Sequence, residues 1–263
     1  MEKKVAVVTG ASKGIGHSMV EALLEDGWAV YGLSRSIANI EHAIMIPCDV
    51  SEEMEVKNAF HSIIKEAGRI DLLVNNAGMG ISGAIEYTKS KDMHRIFDIN
   101  FFGSVYCTQQ VIPIMRRQGG GRIVYTSSLA APCTAPFQTF YSATKNAINS
   151  LNEGLSLETK AFGIETCALL VGDRKTSFTE HRKKDHDGDT VYHGAIARCV
   201  ERMEDSERSA LPPSTIADSL IEILHMEKLP IYKVCDDYGQ VYDWSGYKNK
   251  EKVMEYLSEK YCL

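Results

Sequence analysis

No apolar run in this 263-residue chain approaches the roughly 20 residues needed to span a bilayer, so no membrane helix is expected. Cysteine pairing is missing too. The seven cysteines, at positions 48, 107, 133, 167, 199, 235 and 262, are odd in number and contain no C-x-x-C spacing. That argues against a disulfide or zinc framework, leaves no metal site to expect, and suits reduced thiols in a cytosol. Positive charge is in deficit. Lys and Arg total 29 against 35 Asp and Glu, and the net charge of −6 speaks against a nucleic-acid or anionic-membrane partner. Met1-Glu2-Lys3-Lys4 leads into a strand-like run with no signal-peptide core before it. No internal repeat and no linker-like stretch divides the chain. The expectation is a soluble cytoplasmic globule of one domain, residues 1–263, with 44% hydrophobic residues to fill its core.

What is present alternates. Val5–Thr9, Ala29–Ser34, Ala43–Cys48, Leu72–Asn75, Arg122–Ser127 and Glu165–Val171 read as strands. Between them lie helical stretches: Ile15–Asp26 ending at Gly27, Met54–Ala67 closed by Gly68, about 90–117, and one opened by "YSATK" at 141–145. Pro113 is expected to kink or interrupt the third. Such alternation implies an α/β fold, a parallel sheet with helices on both faces that binds ligands at the carboxyl ends of its strands. Residues 172–210 break the pattern. Their stretch "EHRKKDHDGDT" is too dense in charge to bury itself, so a mobile surface segment is expected, with Arg182-Lys183-Lys184 on a solvated face. A helix at Ser214–Met226, capped by Ser214, and a strand at Ile231–Cys235 follow. The tail, 236–263, carries no assigned role.

"TGASKGIG", residues 9–16, leaves the first strand and opens the first helix. Gly10 permits the tight turn, Gly14 a close approach by a ligand, and Gly16 close helix packing, with the helix N-terminus facing a phosphate. Lys13 sits in this loop and Arg35 follows the second strand, where an NAD site usually carries an acid. Here the first acid is Glu41. Two cations beside a ribose suit a 2′-phosphate, hence NADP(H). Tyr141 and Lys145 are one helical turn apart on one face, which suits either an aromatic packed on an aliphatic stem or a phenol whose pKa the neighbouring ammonium lowers.

To these the chain adds Asp49-Val50, "NNAG" (75–78), Asn100 and "GRIVYTSS" (121–128). This set, in this order, resembles the short-chain dehydrogenase/reductase family over about residues 4–176. The resemblance implies a Rossmann-type, doubly wound sheet and a nicotinamide dinucleotide. It implies that Tyr141 is the acid/base and that Lys145 holds the nicotinamide ribose. Ser128 would bind the substrate oxygen, and Asn100 a water leading from Lys145 to solvent. Asp49 and Val50 would flank the adenine. Asn76, Ala77 and Gly78 would line the adenosine ribose, Ser12 and Ile15 would join the glycine loop, and Gly172 and Thr176 would approach the carboxamide. One departure stands out. The family's P-G-x-x-x-T reads Val171-Gly172-Asp173-Arg174-Lys175-Thr176 here.

The stretch 98–128 looks most like the branch holding 17β-hydroxysteroid and retinol dehydrogenases. It implies a hydroxysteroid or other apolar alcohol or ketone, and 3-oxoacyl-carrier reductases share much of it. Met79, Ile81, Leu129, Ala130, Pro136, Phe137 and Phe178 are candidate pocket walls. A dinucleotide-sensing regulator is the alternative from another class, and the intact Asn100, Ser128, Tyr141, Lys145 set argues for the enzyme. Apolar residues on 90–117 and 141–162, including Phe101, Phe102, Ile148, Leu151 and Leu155, together with the resemblance, imply a homodimer or homotetramer.

Overall fold

The computed structural model of the chain describes residues 3–235 and the single residue Glu259. The tail from 236 otherwise lies outside the described residues. The first half runs β1 (Val5–Thr9), α1 (Gly14–Glu25), β2 (Ala29–Ser34), β3 (Ile44–Pro47), α2 (Glu53–Ala67), β4 (Leu72–Asn75) and a two-residue β5 (Ile81–Ser82). Helix α3 (Ser90–Phe97) passes through a π-helical turn, Asp98–Phe102, into α4 (Gly103–Gln118), followed by β6 (Gly121–Ser128) and α5 (Thr139–Glu158). Then come β7 (Ile164–Val171), the single turn α6 (Phe178–His181), β8 (Lys183–Lys184), α7 (Ala195–Ser209), α8 (Ser214–Leu224) and β9 (Tyr232–Val234).

Seven strands form one parallel sheet in the order β3-β2-β1-β4-β6-β7-β9. β1 is buried along its whole length because both sheet faces are covered. Its period-two alternation is readable in the core. Val5 and Val7 join the apolar cluster of α2, α4 and α5, whereas Ala6 and Val8 join that of α1 and α8. The chain order reverses beside β1, so the ends of β1 and β4 part there and leave a crevice.

Several expectations need correction. Helix α4 runs through Pro113 to Gln118; the break in the long helical stretch is the π-turn at 98–102 instead. Residues 195–209 are a helix that buries Ile196, Cys199, Val200 and Met203, and the charged segment before it is anchored. Arg182 pairs with Glu207, Lys183 with Asp92 and Lys184 with Glu204, so this basic run is not a solvated face. Ser214 opens α8 without capping it; Pro213 holds the cap position. Ile148 and Leu155 belong to the core, while Phe102 is exposed. Among the described residues no helix is long and apolar enough to cross a membrane.

Candidate active site

A cleft of ≈ 530 Å³ opens along the carboxyl ends of β1, β2, β4, β6 and β7. Its first wall is the glycine loop. Gly10 has φ +67°, and a Cβ there would sit 2.9 Å from the Ala77 Cα. At Gly16 a Cβ would come within 2.3 Å of the Gly10 carbonyl oxygen, so α1 packs onto its own loop only through glycine. No side chain caps α1, whose first-turn N–H groups are left as donors at the cleft. Asn76 braces the loop, donating from Nδ2 to the Thr9 carbonyl at 3.0 Å. Thr176 reaches across from the far wall, its Cβ 3.5 Å from a Cβ built at Gly14.

All the cofactor residues expected from sequence border this cleft except Gly16, which stands behind it. Ser12, Lys13, Gly14, Ile15 and Arg35 lie along one end. Lys13 and Arg35 are exposed, and neither forms an ion pair among the described residues. Val50, Ala77, Gly78 and Gly172 line the middle. Asp49 is held by a residue that sequence reasoning missed. Arg95 donates to its Oδ2 at 2.9 Å, while Ser51 donates to Oδ1 through its amide and hydroxyl. Burial alone would raise this carboxyl's pKa, but the Ser51 and Arg95 hydrogen bonds hold it below the ordinary value.

At the other end the catalytic candidates converge. β6 delivers Ser128 at its last residue, and α5 delivers Tyr141 and Lys145 from its first two turns. Ser128 Oγ accepts from the Ala130 amide at 3.0 Å and lines the cleft together with the Tyr141 phenol. Lys145 is buried, donates to the Thr126 carbonyl at 2.7 Å, and lies 5.7 Å from the Tyr141 ring centroid. Asn100, on the π-turn, stands behind the cleft. It donates to the Met79 carbonyl and to Thr144 Oγ1, each at 3.0 Å, and accepts from the Met79 amide at 2.8 Å. A side chain at Gly78 would fill the gap between Asn100 Oδ1 and Lys145 Nζ, 3.4 and 3.7 Å from its Cβ.

The expected lowering of the Tyr141 pKa is not what this arrangement gives. Burial pushes the phenol up to about 12, and the Ser128 hydrogen bond and the Arg182 charge offset only part of the rise. Burial also brings Lys145 down to about 8. Loss of hydration outweighs the pairing that one helical turn suggested. Near neutral pH the phenol therefore keeps its proton.

Of the candidate wall residues, Met79, Leu129, Ala130 and Phe178 line the cleft. Ile81, Pro136 and Phe137 do not: Ile81 is buried in the β5–β8 pair, and Phe137 packs edge-on against Tyr192. The wall also holds Asp173, Arg182, Met203 and Glu207, which sequence reasoning did not assign to the site. The only trace of them was the broken P-G motif and acids at 204 and 207, one helical turn apart.

An open parallel sheet with a glycine turn, an uncapped helix and a Ser–Tyr–Lys cluster at its strand ends defines a nucleotide-binding oxidoreductase architecture. Residues 4–187 match the short chain dehydrogenase family, and the chain belongs to it as an oxidoreductase. A 3-ketodihydrosphingosine reductase of Bacteroides thetaiotaomicron is 35% identical over 233 residues, 88% of this chain and 87% of that one. An uncharacterized oxidoreductase of Bacillus subtilis is 28% identical over 274 residues, covering 95% and 97% of the two chains. A solved short-chain dehydrogenase from Streptomyces avermitilis superposes with TM-score 0.80 at 27% identity, covering 98% of this chain and 96% of that one.

Proposed function

We propose that the protein is an NADP(H)-dependent reductase that interconverts a ketone and a secondary alcohol on a largely apolar carbon skeleton. The observation that carries this reading is the meeting of Ser128, Tyr141 and the buried Lys145 at one end of the cleft. The glycine loop and the free α1 donors fit a pyrophosphate, because a Cβ at Gly10 or Gly16 would fill the cradle. Gly14, Ser12 and Ile15 would hold the phosphates, Lys13 and Arg35 the 2′-phosphate, and Thr176 and Gly172 the carboxamide. When bound, the dinucleotide supplies or accepts the hydride.

The chain's own residues handle the oxygen and the proton. Ser128 accepts from the Ala130 amide, which leaves its own O–H to donate to a carbonyl oxygen. Tyr141, protonated at neutral pH, gives its proton to that oxygen as negative charge develops there. Lys145 keeps donors beyond its Thr126 bond for a ribose hydroxyl. Asn100 fixes the Met79 segment beside them.

Two substrate readings compete. The sequence likeness to the hydroxysteroid branch favours a steroid. The Bacteroides relative, named for a keto sphingoid substrate, favours an acyclic ketone, and a wall carrying Asp173, Arg182 and Glu207 fits a polar head better than a steroid's apolar body. The test is Tyr141→Phe. Turnover should fall at least about 100-fold, the scale of general acid catalysis, with dinucleotide binding retained. Activity within a few-fold of wild type would remove Tyr141 from the role.

A further inference from the structure

We infer that Asp173 selects the substrate: its carboxylate receives a cationic amine carried beside the reducible ketone. The inference rests on reading this cleft as that of a ketone reductase.

Asp173 is the second residue past β7, where the family motif departs from its usual sequence, and it lines the cleft with Ser128 and Tyr141. Its charge acts on the Tyr141 phenol in the sense that raises the phenol's pKa. One carboxylate oxygen, Oδ2, accepts from Ser206 Oγ at 2.5 Å. Oδ1 has no hydrogen-bond donor among the described residues, and no cation there forms an ion pair with this carboxylate.

The cations close by are engaged elsewhere. Arg174 gives Nε to Thr215 Oγ1 at 3.0 Å, Nη2 to the Cys235 carbonyl at 2.7 Å and Nη1 to the main-chain carbonyl of Asp173 at 2.6 Å. Arg182 is paired with Glu207, whose second oxygen takes the Thr179 hydroxyl at 2.5 Å. His181, on α6, is exposed and uses Nδ1 on the Ser177 carbonyl. Lys145, on α5, is bound to Thr126. The pair of Arg182 and Glu207 is neutral as a unit, so Asp173 is the carboxylate at this end of the cleft that has no ion pair among the described residues.

A half-buried carboxylate without a counter-charge is unfavourable unless a ligand supplies one. A ketone held by Ser128 and Tyr141 would bring a substituent on its neighbouring carbon toward this wall. An ammonium there gains a charge-assisted hydrogen bond, whereas a carboxylate would be repelled and an alkyl group would leave Oδ1 unmet.

The experiment compares two probes: a long-chain ketone with an amine on the carbon next to the carbonyl, and the same ketone without the amine. Wild type should show a kcat/KM ratio of at least about tenfold in favour of the amine, as one charge-assisted bond would give. In Asp173→Asn the ratio should fall to within about threefold of one, mainly through KM. Asp173→Glu, which keeps the charge, should recover part of the preference. A folding defect lowers both substrates alike and leaves the ratio intact. A wild-type ratio near one, or a ratio unchanged in Asp173→Asn, overturns the inference while the reductase reading stands. If wild type reduces neither ketone, the reductase reading falls and the inference with it.

Discussion

The Lys145 ammonium lies 2.7 Å from the Thr126 carbonyl oxygen, buried at the wall of the cleft, 5.7 Å from the Tyr141 ring centroid. Burial lowers its pKa from 10.5 to about 8, so below pH 8 the fold holds a charged lysine that an unfolded chain would hydrate freely. That opposes folding by something on the order of 3 kcal/mol. Between pH 8 and 10.5 the folded state sheds the proton first, the unfolded state binds more protons, and stability therefore rises with pH. Lys145→Met has no such titration. Thermal melting should show the variant's advantage over wild type at its largest below pH 8 and shrinking as pH climbs toward 10.5. A difference independent of pH would show that Lys145 is not desolvated as described.

We expect cofactor choice to turn on Arg35. The end of β2 presents Ser34, Arg35 and Ser36, with Ser34 Oγ turned onto the Ser36 carbonyl at 2.6 Å, and no carboxylate where a ribose 2′-hydroxyl would need one. Charge-assisted hydrogen bonds contribute about 1.5–3 kcal/mol each, so wild type should favour NADP(H) over NAD(H) by roughly tenfold or more. Arg35→Asp should swing the ratio of turnover efficiencies toward NAD(H). An NAD(H)-preferring wild type, or a ratio unmoved by the substitution, would make Arg35 an ordinary surface charge.

The sheet and the cluster of Ser128, Tyr141 and Lys145 were legible because they depend on local signals. β1, β2 and β4 match their apolar runs residue for residue, and Ser128, Tyr141 and Lys145 meet because β6 and α5 are adjacent in chain and space. The π-turn was not legible. "DINFF" keeps an apolar rhythm close to that of an α-helix, and one extra residue per turn leaves no mark on it. Nor was the wall around Asp173. Burial of Arg182 depends on Glu207, 25 residues away, and a lone charged residue shows nothing of a partner that only folding brings near. The phenol's raised pKa was hidden for a related reason: spacing places a cation nearby but does not reveal how little water remains.

The Arg182–Glu207 pair makes the final prediction. Their side chains are 2% and 9% exposed, and Arg182 Nε and Nη1 have no hydrogen-bond partner. The guanidinium lies 5.5 Å from the Phe178 ring centroid, which satisfies its face but not those two N–H groups. Such a pair gains little over an apolar filling, yet removing one member leaves the other charged and buried. Arg182→Met should therefore destabilise the fold by about 3–5 kcal/mol, read from denaturant midpoints at constant slope. The double substitution of Arg182→Met with Glu207→Leu should recover most of that loss, because it removes both charges and the two unmet donors together. If the single variant costs less than about 1 kcal/mol, Glu207 has found water or another cation, and the pair is not the closed ionic unit described here.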